Sequence, residues 1–319
     1  WWETRLDYVS GDFKSPDTYH RLALCLNDLD ARLGTSANRL FYLAVPPDDF
    51  GVILQGLRDA GLIVPPNGPT FSRVIIEKPF GRSLETAHQL NRLVADVLDE
   101  SQTFRIDHYL GKETVQNIMV FRFANSFFEP LWNRKYVDHV QITAAESVGI
   151  GTRGSFYEST GVLRDIVQNH LLEVLTLCAM EPPNSGGADD VRGEKLKVLK
   201  ALRQPWADTV PNDVVLGQYD GYRDESGVKP SSTTETFAAI TLEVDTRRWA
   251  GVPFFLRTTI NFHPMKGPMT TQTFRGMAGN GAMHWRGDRQ GTSSGVSLEE
   301  RAFKDFSVAF PGLLGREQA

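Results

Sequence analysis

Up to about residue 106, stretches with helical spacing of apolar residues alternate with short, nearly unbroken apolar runs. Residues 16 to 33 predict a helix, NRLFYLAVPP (38 to 47) a strand ended by prolines, and residues 48 to 60 a second helix. FSRVIIE (71 to 77) predicts the next strand. In SLETAHQLNRLVADVL (83 to 98), Leu84, Ala87, Leu90, Leu93, Val94 and Val97 share one helical face behind Ser83, which suits an N-cap. TFRI (103 to 106) returns to strand. Apolar strands between amphipathic helices imply a parallel sheet covered on both faces, hence α/β character.

Beyond residue 112 the rhythm changes. VDHVQITAAE (137 to 146) and TTETFAAITLEV (233 to 244) predict longer, partly alternating strands, with helical stretches at 160 to 180 and 189 to 203 between them. That pattern is α+β and predicts a largely antiparallel sheet. PPNSGGADD (182 to 190) reads as a loop, and residues 264 to 319 show no usable period and predict an irregular tail. Three segments result: 1–107, 108–263 and 264–319.

Composition narrows the function classes. The 319 residues carry 34 basic and 39 acidic side chains, a net charge of −5, so neither a nucleic-acid nor an anionic-membrane partner is expected. Any bound anion must be met by a local cluster of cations. Cys25 and Cys178 lack disulfide or zinc-site spacing, which fits a reducing cytoplasm, and Cys178 sits in an apolar run that predicts core. No run reaches membrane-span length, and the N-terminus lacks the basic-then-apolar pattern of a signal peptide. It begins Trp1-Trp2 rather than Met, which suggests a fragment, a processed chain or an engineered piece. No GxxxxGK[ST] loop, GxSxG elbow or HExxH helix occurs, and the seven histidines are scattered, so no metal is expected.

Two strings sit where strands of an open parallel sheet end, the usual place for a ligand. In EKPFG (77 to 81), Lys78 precedes Pro79; a cis bond would turn Lys78 toward the crevice, and a plain strand-ending turn is the alternative. In DHYLGKE (107 to 113), Gly111 lets the chain turn into a helix. The first N–H groups of that helix, with His108, the Tyr109 hydroxyl and Lys112, suit a phosphate dianion; a solvated cap with ordinary ion pairs is the alternative. Asp107 would repel phosphate and is better suited to holding a histidine. His170 lies on a stripe of Leu163, Ile166, Val167, Leu171, Val174 and Leu175, so its ring points inward, either as a core histidine or as a base oriented by Asp107. Asp165 is five residues from His170, well off its direction on an α-helical wheel.

Together EKPFG, RIDHYLGKE, QNIMVFRFAN, RDIVQNHLLEVL, DDVRGEKLKVLKAL, VVLGQY and TFAAITLEVDTRRWAGVPFFLRT resemble glucose-6-phosphate dehydrogenases, nearly continuously from residue 10 to residue 258. The resemblance implies an incomplete Rossmann-like dinucleotide-binding domain followed by a truncated β+α substrate domain. It implies oxidation of glucose 6-phosphate to 6-phosphogluconolactone with hydride transfer to NADP, the first oxidative step of the pentose phosphate pathway. It makes His170 the general base, Asp107 its orienting carboxylate, and His108, Tyr109 and Lys112 the phosphate ligands. Lys78 would lie between sugar and cofactor, with Pro79 directing it, and Glu146 and Asp165 would bind sugar hydroxyls. The family is typically homo-oligomeric, with a contact surface incomplete here.

Two departures qualify that implication. No GxGxxG-like turn for the cofactor pyrophosphate precedes Asp12, and Arg257-Thr258 runs into TINFHP where the family carries a loop with substrate-binding lysines. Losing even ~4 kcal/mol of cofactor binding weakens affinity about a thousandfold, so little or no turnover is expected. Loss of the sheet's first strand would expose an edge and apolar surface. A non-catalytic sugar-phosphate-binding or interaction remnant is the competing reading, although a pure binder has no use for a base.

Overall fold

The computed structural model describes residues 5–81, 83–146, 148–203 and 210–260. The irregular tail expected at 264 to 319 lies outside the described residues.

The first half is built on a three-stranded parallel sheet, β1 (Arg39–Leu43), β2 (Ser72–Glu77) and β3 (Thr103–Ile106), in the order β1-β2-β3. Helices α1 (Pro16–Leu33), α2 (Phe50–Asp59) and α3 (Leu84–Ala95) accompany it. Helix α1 has the bounds expected from its sequence: Pro16 starts it and Gly34 ends it at φ 71°, returning its N–H to Asp30 O at 2.8 Å. Ser83 caps α3, accepting from the Thr86 N–H at 3.3 Å while its own N–H reaches Thr86 Oγ1 at 2.9 Å. Leu84, the first residue of α3 and expected on its buried face, is instead 76 % exposed.

One face of this sheet is packed and the other is not. Leu43, Val74 and Ile76 join Phe50, Ile53, Leu54, Leu57 and Val94 in a core. On the opposite face the register sets Tyr42 beside Ile75 and Ile75 beside Phe104. Leu40 and Tyr42 there are 60 % and 52 % exposed. Coverage on both faces, implied by apolar strands, therefore holds for one face among the described residues.

The second half contains a four-stranded sheet in the order β4-β7-β6-β5, formed by β4 (Val140–Ala145), β5 (Val214–Gly217), β6 (Phe237–Glu243) and β7 (Pro253–Thr259). β5, β6 and β7 are antiparallel neighbours, but β4 and β7 run parallel, so the sheet is mixed. Helix α4 (Glu113–Phe123) leads into this half; after α5 (Gly154–Val162), a π-helix (Leu163–Leu171) and α6 (Leu172–Ala179) form one continuous rod, followed by α7 (Ala188–Lys200). The π-helix packs on β4 and β7. Leu171, Leu175, Trp249, Phe254 and Leu256 are at most 1 % exposed in the resulting core. Cys178 is buried there too, and burial pushes its thiol up to about 11.

Three side chains fix the carboxyl end of the rod. Arg122 donates to Leu177 O and Met180 O, each at 2.8 Å, Trp132 Nε1 to Cys178 O at 2.7 Å, and Trp249 Nε1 to Ala179 O at 2.8 Å. Carbonyls that a helix end leaves unpaired are thereby satisfied inside the core.

Candidate active site

β2 and β3 deliver the first two site residues. Their parallel register pairs Glu77 with Ile106, so Lys78 and Asp107 leave the carboxyl edge of the sheet side by side. The Lys78–Pro79 peptide is cis. Asp107 turns its carboxylate back on its own chain: Oδ1 accepts the Tyr109 N–H at 2.9 Å, an Asx turn that fixes the side chain. Successive turns bind the N–H groups of Leu110, Gly111 and Lys112 to the carbonyls of Asp107, His108 and Tyr109. Backbone donation to an anion at this point therefore falls to the first turn of α4.

The π-helix supplies the other half. Gly161, at φ 66°, breaks the helical path just before it, and Glu235 takes up the released N–H groups: Val162 N–H reaches Glu235 O at 2.9 Å and Leu163 N–H reaches Glu235 Oε1 at 3.3 Å. Beyond that break the turn is wider. Leu172 N–H bonds Val167 O, five residues back, where an α-helix would use four. On an α-helix residues five apart are separated by about 140°; with i to i+5 bonding they lie nearly one above the other. Asp165 and His170 are five apart.

Each meets one of the residues leaving the sheet. Lys78 Nζ donates to Asp165 Oδ1 at 2.7 Å and to Asp165 O at 2.9 Å. His170 Nδ1 stands 2.5 Å from Asp107 Oδ1, although the N–H is not aimed along the line that a hydrogen bond requires. His170 is fully buried, and its Nε2 and Asp107 Oδ2 have no protein partner among the described residues. An imidazole held at one nitrogen by a carboxylate, with the other nitrogen uncommitted, is a poised proton acceptor.

The rest of DHYLGK surrounds that imidazole. Tyr109 stacks on it, with centroids 4.0 Å apart and planes 10° apart, and His108 meets its edge at 4.5 Å. Lys112 rests its ammonium 3.6 Å from the Tyr109 ring centre. Burial raises the Asp107 carboxyl, but the His170 contact and the Tyr109 N–H outweigh it and leave Asp107 below its ordinary value. His108 is also lowered, first by burial and then by its neighbours His170 and Lys78. Ligating atoms of Asp107, His108 and His170 lie within 4.8 Å of one another, a grouping that sequence spacing hid. Lys78 and Lys112 are positive neighbours of His108.

Of the residues expected in the site, Lys78, Asp107, His108, Tyr109, Lys112, Asp165 and His170 are joined by this chain of contacts, with Pro79 fixing the peptide beside Lys78. Glu146 is the first residue after β4 and is partly buried. Gly161 and Glu235, which build the π-helix, were not anticipated; a glycine within an apolar helical run was the available signal.

Two family models account for most of the chain. Residues 1–117 match the NAD-binding domain of glucose-6-phosphate dehydrogenase, and residues 119–275 match its C-terminal domain. The chain belongs to the glucose-6-phosphate dehydrogenase family. It is 51 % identical over 261 residues to glucose-6-phosphate 1-dehydrogenase 2 of Mycobacterium tuberculosis H37Rv, covering 79 % of this chain and 50 % of that one. It is 46 % identical over 261 residues to glucose-6-phosphate 1-dehydrogenase of Bacillus subtilis 168, covering 79 % and 53 %. Among solved structures, the glucose-6-phosphate 1-dehydrogenase of Mycobacterium avium matches with a TM-score of 0.71 at 43 % identity, covering 80 % of this chain and 52 % of that one. A glucose-6-phosphate dehydrogenase in complex with its substrate glucose 6-phosphate matches with a TM-score of 0.70 at 38 % identity, covering 79 % and 52 %. The chain thus spans about half the length of the glucose-6-phosphate dehydrogenases it matches.

Proposed function

We propose that this chain is the proton-abstracting and sugar-phosphate-gripping portion of an NADP-linked glucose-6-phosphate dehydrogenase. The observation that carries the proposal is the buried His170, with Nδ1 against Asp107 and Nε2 without a protein partner among the described residues. In the proposed reaction Nε2 takes the proton of the C1 hydroxyl. As that O–H bond breaks, its electrons form the carbonyl, the C1–H bond leaves with its pair as hydride, and the ring becomes the lactone. Asp107 orients the imidazole and offsets the charge it acquires. Lys112 and His108 hold the phosphate with Tyr109, while Asp165 and Glu146 accept from sugar hydroxyls. The Lys78–Asp165 contact presets the side chains that would receive the sugar.

NADP, when bound, supplies the hydride acceptor. The residues present fit it in part. Lys78 and Pro79, at the carboxyl end of the central strand, suit its nicotinamide end, whereas the sequence offers no GxGxxG-like turn for its pyrophosphate. NADPH production by this chain alone is therefore expected to be far below that of its full-length relatives, and comparable turnover would overturn that expectation. The reading also implies a cytoplasmic protein; no helix among the described residues is long and apolar enough to cross a membrane.

Ligand-induced melting shifts test the phosphate grip. Glucose 6-phosphate is expected to stabilise the chain more than glucose does, and Lys112→Ala to abolish that difference. Equal shifts for the two sugars in the unmutated chain would refute the assignment.

A further inference from the structure

The Tyr109 ring is loaded on both faces. The His170 imidazole lies nearly parallel to it at 4.0 Å, and the Lys112 ammonium stands 3.6 Å from the same centre. An ammonium so close to the ring axis and an imidazole so nearly parallel do not fit on one face, so they occupy opposite faces. The stack on Tyr109 thus fixes the imidazole plane alongside the Asp107 contact at Nδ1. Lys112 is exposed at the N-cap of α4, and no carboxylate partner claims its ammonium among the described residues.

An aromatic face attracts cations because its quadrupole places negative charge there. A ring already holding an ammonium on one face has less to offer a positive partner on the other. A phosphate dianion is a stronger partner for that ammonium than a phenol ring is. We propose that Tyr109 is a positioning residue that transmits phosphate occupancy to the base. Phosphate draws Lys112 off the ring, and the relieved ring then stabilises the imidazolium that His170 becomes on taking the sugar proton. The inference rests on the proposed roles of Lys112 and His170, and adds that the two are coupled through the ring between them. A sugar lacking the phosphate would thus meet a base still stacked on a cation-loaded ring.

Histidine-labelled chain examined by NMR tests the coupling, with His170→Gln assigning the signal and calorimetry measuring binding separately. The His170 ring signal should lie upfield in the unmutated chain and in Tyr109→Phe, which keeps the stack, and should lose that displacement in Tyr109→Leu. Saturating inorganic phosphate or glucose 6-phosphate should move it in the first two and leave it in place in Tyr109→Leu, whereas glucose should move none. Lys112→Met without phosphate should put the signal where phosphate puts it in the unmutated chain, a readout that survives if the leucine variant fails to fold. If phosphate binds by calorimetry but the signal stays, or Lys112→Met leaves it unchanged, the coupling is wrong and the phosphate grip stands. If neither phosphate ligand binds, the grip fails and the coupling with it.

Discussion

Replacing Arg122 by methionine should strongly destabilise the half of the chain that carries His170. The guanidinium is fully buried and donates to Leu177 O and Met180 O at 2.8 Å each, with a third contact to Glu129 Oε2 at 3.3 Å. Methionine keeps most of the packing against Phe123 and Trp132 but strands two buried carbonyls, each costing about 1–3 kcal/mol. Glu129 keeps Arg248 at 2.8 Å, so it adds little. Against this, the variant no longer buries a charge; burial lowers the Arg122 pKa, and replacing buried ionic groups by apolar ones recovers part of the loss. The net expectation is about 2–4 kcal/mol, a large part of the 5–15 kcal/mol that separates typical native and unfolded states. Urea unfolding followed by tryptophan fluorescence is apt, because Trp132 and Trp249 cap the same helix end. A loss under about 0.5 kcal/mol, the level of an ordinary surface substitution, would show that those carbonyls do not depend on Arg122.

Two further outcomes are expected. Gly161→Ala should lower the unfolding midpoint, since φ 66° with ψ 171° costs a non-glycine residue about 1–3 kcal/mol and the new Cβ would fall 2.3 Å from Glu235 Oε1; an unchanged midpoint would mean that the kink relaxes freely. On acidification, His108 and Asp107 act in different windows. His108 is lowered in the fold, so the unfolded chain protonates first and stability falls as pH drops below about 6.5 toward the folded value. Asp107 is also lowered, so its contribution is full above about 3.9 and is lost only as pH falls through its folded value. His108→Gln should therefore flatten the melting temperature between about pH 7 and pH 5, and an unchanged slope there would assign the effect elsewhere.

Much of the architecture was legible because local rules and tertiary structure agree. The proline start and glycine end of α1, the Ser83 cap and the inward stripe at His170 are signals a short window contains. β5 and β7 carried no comparable pattern signal: β5 has four residues, and β7, although interior to the sheet, was visible only through the resemblance. The exposed face of the parallel sheet was equally hidden, because apolar strand composition states what should be covered and not what is. The Asp107–His170 pair joins positions 63 residues apart, a distance no periodicity spans. Residue chemistry offered the pairing as one of two alternatives, and the resemblance chose it.

Asp165 exposes the physical reason most clearly. An α-helical wheel separates it from His170 by about 140°, yet the two serve adjacent strand ends, Lys78 and Asp107. The widened turn reconciles these facts, and π geometry has no compositional signature and occurs mostly as short insertions at functional sites. It persists here because the rod is held at both ends by groups outside it: Glu235 receives the N–H groups of Val162 and Leu163, while Arg122, Trp132 and Trp249 bond the carbonyls of residues 177 to 180. With both ends pinned, tightening the middle to an α-helix would rotate Asp165 away from Lys78 or His170 away from Asp107. The site's geometry is therefore imposed from beyond the segment that carries it, and changes at Gly161 or Arg122, neither of which touches the imidazole, should disturb His170 as surely as changes beside it.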